Sequence, residues 1–190
     1  HDALQHCLFC IIFGDCYSIN ELQVNPYILF GKDWMALTAG TEKDGFNMMT
    51  VAWGHLGSIW ERGNHRNCLP TAICYVRPGR YTKKYMDKEE YFTLSHFAPE
   101  YKKVLGYLGS HSGRNEDKSK ATGLTPVFSD GTTYFAEADL VFICRRLYQA
   151  PLLETGYVDK ELIDFNYPDR DFHEVYIGEI VKILVADDKE

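Results

Sequence analysis

Short apolar runs separated by turn-forming clusters dominate the chain. After Pro26, YILFG (27–31) reads as a short strand, and WMALTAGT (34–41) as a longer one ending near Gly40. EKDGFN then carries Asp44-Gly45, a hairpin signal. NMMTVAWG (47–54) is predicted as the return strand. Residues 57–70 turn polar after Trp60 and read as a surface loop. TAICYVRP (71–78) is a strong β run, stopped by Pro78-Gly79. A short helix is predicted over 80–90 and a strand over 91–97. The clearest helical periodicity spans 98–110. Pro99 suits its first turn, and Tyr101, Val104, Leu105 and Leu108 share one face. Residues 111–123 read as a long polar loop, with Gly109 as a helix C-cap before it. Two long strands follow, over 138–150 and 172–186, the second with Gly178 marking a bulge or close approach. Regular βαβ alternation is absent, which excludes a doubly wound fold. The pattern predicts a mainly β protein, a closed or nearly closed antiparallel barrel with helical insertions.

The chain has 190 residues, enough for one domain with a sizeable core. Its formal net charge is −7, which argues against a domain-wide attraction to nucleic acid or anionic lipid. Anionic ligands still fit where basic residues are concentrated. Six cysteines raise the question of disulfides, but a chain this long does not need them. Cys74 and Cys144 lie in apolar runs, where a free thiol packs as a small hydrophobe. Cys7-x-x-Cys10 with Cys16 has some of the character of a metal or redox site. No second pair follows at finger spacing, so no metal is predicted. The apolar run from Cys7 to Phe13 is too short to span a bilayer and lacks a basic flank. No membrane association and a cytoplasmic location are expected.

Three stretches carry more chemistry than folding requires. RPGRYT, Arg77 to Thr82, places two arginines and a hydroxyl at a strand-to-helix junction. It reads as an anion site or as a solvated basic turn. GSHSGRNEDK, Gly109 to Lys118, lacks the strand and the Gly-Lys-Ser/Thr ending of a Walker loop. Ser110, Ser112, Arg114 and Lys118 offer groups for a phosphate or a polar ring edge; composition alone reads as a surface loop. DFHEVYIGEI, Asp171 to Ile180, puts His173 at the mouth of a strand. A lone histidine there is more often structural than catalytic. Asp169 and Asp171 read as solvated turn charges. No nucleophile elbow, zinc-protease helix or dinucleotide fingerprint is present.

In order, NPYILFGKDWMALTAG, FNMMTVAWGHLGSIW, YVRPGRYT, FTLSHF, GSHSGRNEDK, TGLTPVF and DFHEVYIGEI resemble the flavin reductase-like proteins. The resemblance implies the FMN-binding split-barrel fold, an antiparallel Greek-key-like barrel over residues 25–190. Residues 1–24 form an extension unlike the family. It implies non-covalent FMN (FAD is compatible), NADH or NADPH as reductant, and a homodimer. Some members hand reduced flavin to a partner monooxygenase. By the same resemblance Asn47, Met48, Met49, Thr50, Val51, Ala52 and Trp53 run beside the isoalloxazine. Arg77, Tyr81 and Thr82, with Arg80 in the same turn, meet ribityl and phosphate, and Ser95 lies close by. Ser110, Ser112, Arg114 and Lys118 close over the flavin, where a cation stabilises its anionic reduced form. His173 orients the nicotinamide. A non-catalytic FMN carrier, or a barrel holding another flat cofactor such as haem, is the alternative. The residues ERGNHRNCL between Trp60 and Pro70 depart from the family's spacing.

Overall fold

Asp44-Gly45 does close a hairpin. Strand β1 (Met35–Thr41) pairs antiparallel with β2 (Gly45–Val51), and Gly45 takes a positive φ of 77°. The computed structural model describes residues 17–63 and 68–186. Among them β3 (Gly54–Glu61), β4 (Cys68–Val76), β5 (Tyr91–His96), β8 (Leu140–Pro151) and β9 (Glu174–Val185) complete one seven-stranded antiparallel sheet. Its order is β2-β1-β5-β8-β9-β4-β3, and β6 (Pro126–Ser129) and β7 (Thr132–Phe135) form a separate hairpin. The two strands at the ends of the large sheet, β2 and β3, are consecutive in the chain. Only Ala52 and Trp53 join them, so the sheet must curl until its two edges meet at that corner. Away from the corner the edges are not paired with each other. The result is a barrel with one open seam.

Strand alternation sorts the core into two clusters. Met35, Leu37, Met49, Val51, Phe92, Leu94, Phe142 and Cys144 point into the barrel. Ala36, Met48, Val141 and Ile143 point outward, under a helix and the β6–β7 hairpin. That helix is α2 (Lys102–Ser110). Its Leu105 and Leu108 are buried there, each contributing about 1.5–3 kcal/mol of transfer free energy. Tyr85 and Met86 of helix α1 (Lys83–Lys88) join the interior cluster. Gly178 is a close approach: a Cβ there would lie 2.7 Å from the ring of Phe92. Residues 17–24, set apart as an extension, are not detached. The Tyr17 amide donates to the Ile183 carbonyl, and Leu22 and Val24 pack on the interior cluster.

Several elements differ from the sequence reading. YILFG is not a strand but part of a π-helical turn, Ile28–Asp33, because the Asn25 side chain accepts from the amides of Tyr27 and Ile28. An Asn cap followed by Pro26 starts a helix and disfavours a ladder. The loop expected over 57–70 is occupied by β3 as far as Glu61 and by β4 from Cys68. An edge strand has one partner and no buried second face, so its alternation is weak. The return strand ends at Val51, three residues early. Helix α2 runs through Gly109 to Ser110. Inside the expected loop lies helix α3 (Lys118–Thr122), capped by Asp117, whose side chain accepts from the Ser119 and Lys120 amides, and ended by Gly123 at φ 75°. Helix α4 (Glu161–Asn166) and the β6–β7 hairpin were not anticipated. Cys7, Cys10 and Cys16 lie outside the described residues. Cys68, Cys74 and Cys144 are free thiols, and burial pushes those of Cys74 and Cys144 up. No helix among the described residues is long and apolar enough to cross a membrane.

The π-helical turn is tied to the barrel by a histidine. His96 of β5 reaches Asp139 through Nδ1 (2.6 Å) and Asp33 through Nε2 (3.3 Å). Burial opposes the imidazolium, but the carboxylates of Asp139 and Asp33 outweigh it and hold the pKa above its usual value. A raised folded-state pKa contributes stability below the unfolded value, near ~6.5, that is lost as pH rises through the folded value. The melting temperature of His96→Gln should therefore fall furthest below the parent's between about pH 5 and 6.5, with the gap narrowing at higher pH. A gap independent of pH would refute the charged bridge.

Candidate functional site

The seam leaves the outer edge of β2 without a strand partner. The Met48 carbonyl accepts a hydrogen bond from Lys118 Nζ, so Met48 faces away from β1. In an antiparallel strand a residue's N–H and C=O point the same way, alternating along the chain. Thr50 therefore also turns its backbone groups into the seam, while Met49 and Val51 turn theirs to β1. The Thr50 hydroxyl donates to the Leu105 carbonyl, fixing this segment against α2.

Two cavities line the edge. One, of about 120 Å³, is bounded by Asn47, Met49, Arg80, Tyr81, Thr82 and the 110–114 loop, with Lys118 at its base. The other, of about 200 Å³, is bounded by residues 49–53, Tyr75, Arg77, Arg80 and His173. Met49 and Arg80 border both, so the two form one groove. Its loop is built to fit. Gly113 packs so closely that a Cβ would sit 2.0 Å from Asn47 Oδ1. Asn47 in turn donates through Nδ2 to the buried Thr82 hydroxyl at 2.8 Å. Thr82 is the N-cap residue of α1, and its side chain makes no capping hydrogen bond there.

The charges in the groove divide into two groups. Arg80 donates to the Gly109 carbonyl, and Arg114 donates to the Gly79 carbonyl while lying 5.1 Å from the Tyr81 ring centroid. Neither guanidinium pairs with a carboxylate among the described residues. Lys118 is buried and donates to the carbonyls of Met48, Leu108 and His111. Burial, with Arg80 nearby, pulls its pKa down to about 8, which leaves it cationic at neutral pH. At the other end Arg77 is already neutralised. Its Nη1 donates to both oxygens of Asp171 at 2.6 Å, its Nη2 donates to the Asn166 carbonyl, and it lies 5.1 Å from the Tyr167 ring. The Asp171 carboxyl is held below its usual range by that guanidinium. Asp171 is thus a paired charge, though its side chain stays partly exposed.

His173 sits beside Arg77. Its Nδ1 shares a 2.8 Å hydrogen bond with the Tyr167 hydroxyl, and its ring lies 4.9 Å from that of Trp53. Burial, then Arg77, lowers its pKa to about 4, so it is a neutral imidazole at physiological pH.

The groove thus gathers Asn47, Met49, Thr50, Val51, Ala52, Trp53, Arg77, Arg80, Tyr81, Thr82, Ser110, Ser112, Arg114, Lys118 and His173. It does not gather Met48, whose side chain is buried under α2. Nor does it gather Ser95, which is fully buried on β5 between Ala36 and Val141 and lines neither cavity. Arg77 lies at the His173 end, not beside the 110–114 loop where the unpaired cations cluster. Asp171, Tyr167, Tyr75 and Gly113 were not singled out as site residues. Only Asp171, two positions before His173, carried a local hint.

The comparisons place the chain. Residues 70–190 match the model of the flavin reductase like domain, and the chain belongs to that family. Among solved structures it is similar to the flavoredoxin of Desulfovibrio vulgaris (Miyazaki F), at 20% identity and a TM-score of 0.60, over 90% of this chain and 76% of that one. The FMN-binding protein from Thermus thermophilus with bound 1-cyclohex-2-enone is 18% identical, with a TM-score of 0.58 over 88% and 78%. Nitrilotriacetate monooxygenase component B from Bacillus cereus is 17% identical, with a TM-score of 0.60 over 90% and 84%. No curated protein matches the chain. The fold is the flavin reductase-like split barrel.

The close fit of Gly113 gives a test of the groove's construction. Gly113→Ala should displace Asn47 and break its bond to Thr82, at a cost of about 1 kcal/mol. Amide exchange over 111–117 should then accelerate several-fold; unchanged protection would mean that Gly113 does not set the loop.

Proposed function

We propose that this chain is an FMN-dependent oxidoreductase that takes reducing equivalents from NADH or NADPH. The observation that carries the reading is the pair Arg80 and Arg114: two guanidiniums with no carboxylate partner among the described residues, at one end of a groove in an acidic protein. Unpaired cations there suit a phosphate. The donor set along the rest of the groove suits the remainder of FMN. Hydroxyls of Tyr81, Thr82 and Ser110 border the part next to the cations, where a ribityl chain would run. The outward backbone of Thr50 offers hydrogen bonds to the polar edge of a flat ring, and the exposed Trp53 offers apolar contact to its plane.

When bound, FMN supplies a two-electron acceptor that the side chains lack. The chain's own contribution is positioning and electrostatics. Lys118 keeps a buried positive charge at the base of the groove, which favours an anionic form of whatever ring lies above it. Neutral His173, hydrogen-bonded to Tyr167 and tilted against the Trp53 ring, orients the nicotinamide and transfers no proton. The Arg77–Asp171 pair holds the 166–173 segment in place and so acts through His173. A homodimer completes this reading, and a partner monooxygenase is one destination for reduced flavin.

The purified protein, titrated with FMN, should develop a bound-flavin band near ~450 nm that bleaches anaerobically with NADH or NADPH. Arg80→Ala and Arg114→Ala should each weaken FMN about tenfold, as expected for a lost charge-assisted hydrogen bond, and more than Arg77→Ala does. His173→Leu should raise KM for the nicotinamide nucleotide with FMN affinity unchanged. A bound flavin that stays oxidised with both nucleotides would leave a carrier and refute the reductase. Failure to take up FMN would remove the whole reading.

A further inference from the structure

A third cavity adjoins the groove and is larger than both of its lobes. It has a volume of about 930 Å³, within the range of small-molecule sites. Ala52, Trp53 and Tyr75 border both it and the His173 lobe, so the two spaces meet at the Trp53 ring. One wall is the π-helical turn, with Tyr27 and Phe30. The opposite wall is the segment from the end of β8 through α4, with Leu153, Tyr157 and Leu162. Proximity to the groove makes the charge contrast informative. The groove gathers Arg77, Arg80, Arg114 and Lys118, whereas among the described residues no Asp, Glu, Lys or Arg lines this cavity. Its polar groups are the hydroxyls of Tyr27, Tyr75, Tyr157 and Tyr167, with Trp53, Asn166 and His55. A pyrophosphate would find no counter-charge here and would have to shed its hydration uncompensated. Aromatic faces and a few neutral hydrogen-bonding groups instead suit an uncharged flat molecule.

We propose that this cavity binds an uncharged planar aromatic acceptor of the quinone class, held against Trp53. This rests on the proposed function, because the electrons come from the nicotinamide nucleotide of that reading. Written in full, NAD(P)H and one proton convert the quinone to the hydroquinone, leaving NAD(P)⁺. The hydride equivalent and the proton together account for the two hydrogens gained at the quinone oxygens.

The test uses the whole chain, with 1,4-naphthoquinone as probe and 1,4-naphthoquinone-2-sulfonate as its charged counterpart. Binding is read by equilibrium dialysis and turnover by anaerobic oxidation of NADH or NADPH. The neutral quinone should bind, and the sulfonate about tenfold more weakly or worse. Leu162 is half-exposed, so Leu162→Asp is tolerable to the fold and places a carboxylate in the wall. It should weaken the quinone about tenfold and leave FMN affinity as in the parent. Equal affinity for the sulfonate, or no effect of Leu162→Asp, would overturn the assignment. So would a Leu162→Asp change that dissociates a dimer in sedimentation while quinone affinity holds, because the wall would then belong to an interface between copies. FMN bound and reduced without any quinone binding would reject this inference alone. Quinone binding that depends on Leu162, in a protein that takes no FMN, would reject the flavin reading and support the cavity as a quinone site.

Discussion

The two-residue connection between β2 and β3 is the constraint on which the rest of the molecule depends. Those strands are the two ends of one curled sheet, and a link of Ala52 and Trp53 alone forces them together at one corner while they part elsewhere. An unpaired strand edge is normally a hazard, because its free amides and carbonyls recruit other chains. Here the 110–114 loop, α3 and the turn before α1 stand over that edge instead. Lys118 pins the arrangement by donating at once to β2, to α2 and to the following loop. The groove is thus a gap in a hydrogen-bonded sheet, with backbone groups already aimed into it.

Charge is distributed along that gap by pairing. All four cations lie on or near the same groove, yet Asp171 and the Asn166 carbonyl absorb Arg77, whereas among the described residues Arg80, Arg114 and Lys118 donate hydrogen bonds to carbonyls and to no carboxylate. The anion-seeking end is therefore the loop end. Towards Trp53 the electrostatics fade: Arg77 is compensated, His173 is neutral, and among the described residues no charged side chain lines the large cavity beyond. A gradient from cationic to uncharged, across one Trp ring, is what the proposed pairing of a phosphate-bearing cofactor with a neutral partner would require.

Much of the barrel could be read from the chain because local signals agreed with the tertiary ones. Asp44-Gly45 needs a positive φ and has one. The apolar runs at 71–76, 91–96, 140–144 and 174–185 are strands, and Gly178 marks a close approach. The misreadings share a cause: their deciding contacts lie outside the apolar pattern. YILFG is apolar enough for a strand, but the Asn25 cap settles it as a turn. The strand over 54–61 is hidden by its exposure at the seam. For the site, family resemblance named loops that the fold brings to one groove, while the partners of individual residues stayed invisible. Arg77 and Asp171 are separated by 94 positions, so a strand-end arginine looked available for a phosphate. Ser95 sits in a quoted segment, and its strand's pairing carries it into the core. The division of roles between Met48 and Met49 follows from alternation once the direction of one carbonyl is known.

The central claim is that the free edge of β2 is itself the recognition element. Amide hydrogen exchange at Met49, Thr50 and Val51, with and without FMN, tests it most directly. The ladder directions require Met49 and Val51 to be protected in both states. Thr50, facing the seam, should exchange readily in the free protein and slow by about tenfold or more when FMN binds. FMN binding that leaves the Thr50 amide unchanged, or a Thr50 amide already as protected as its neighbours, would contradict the account.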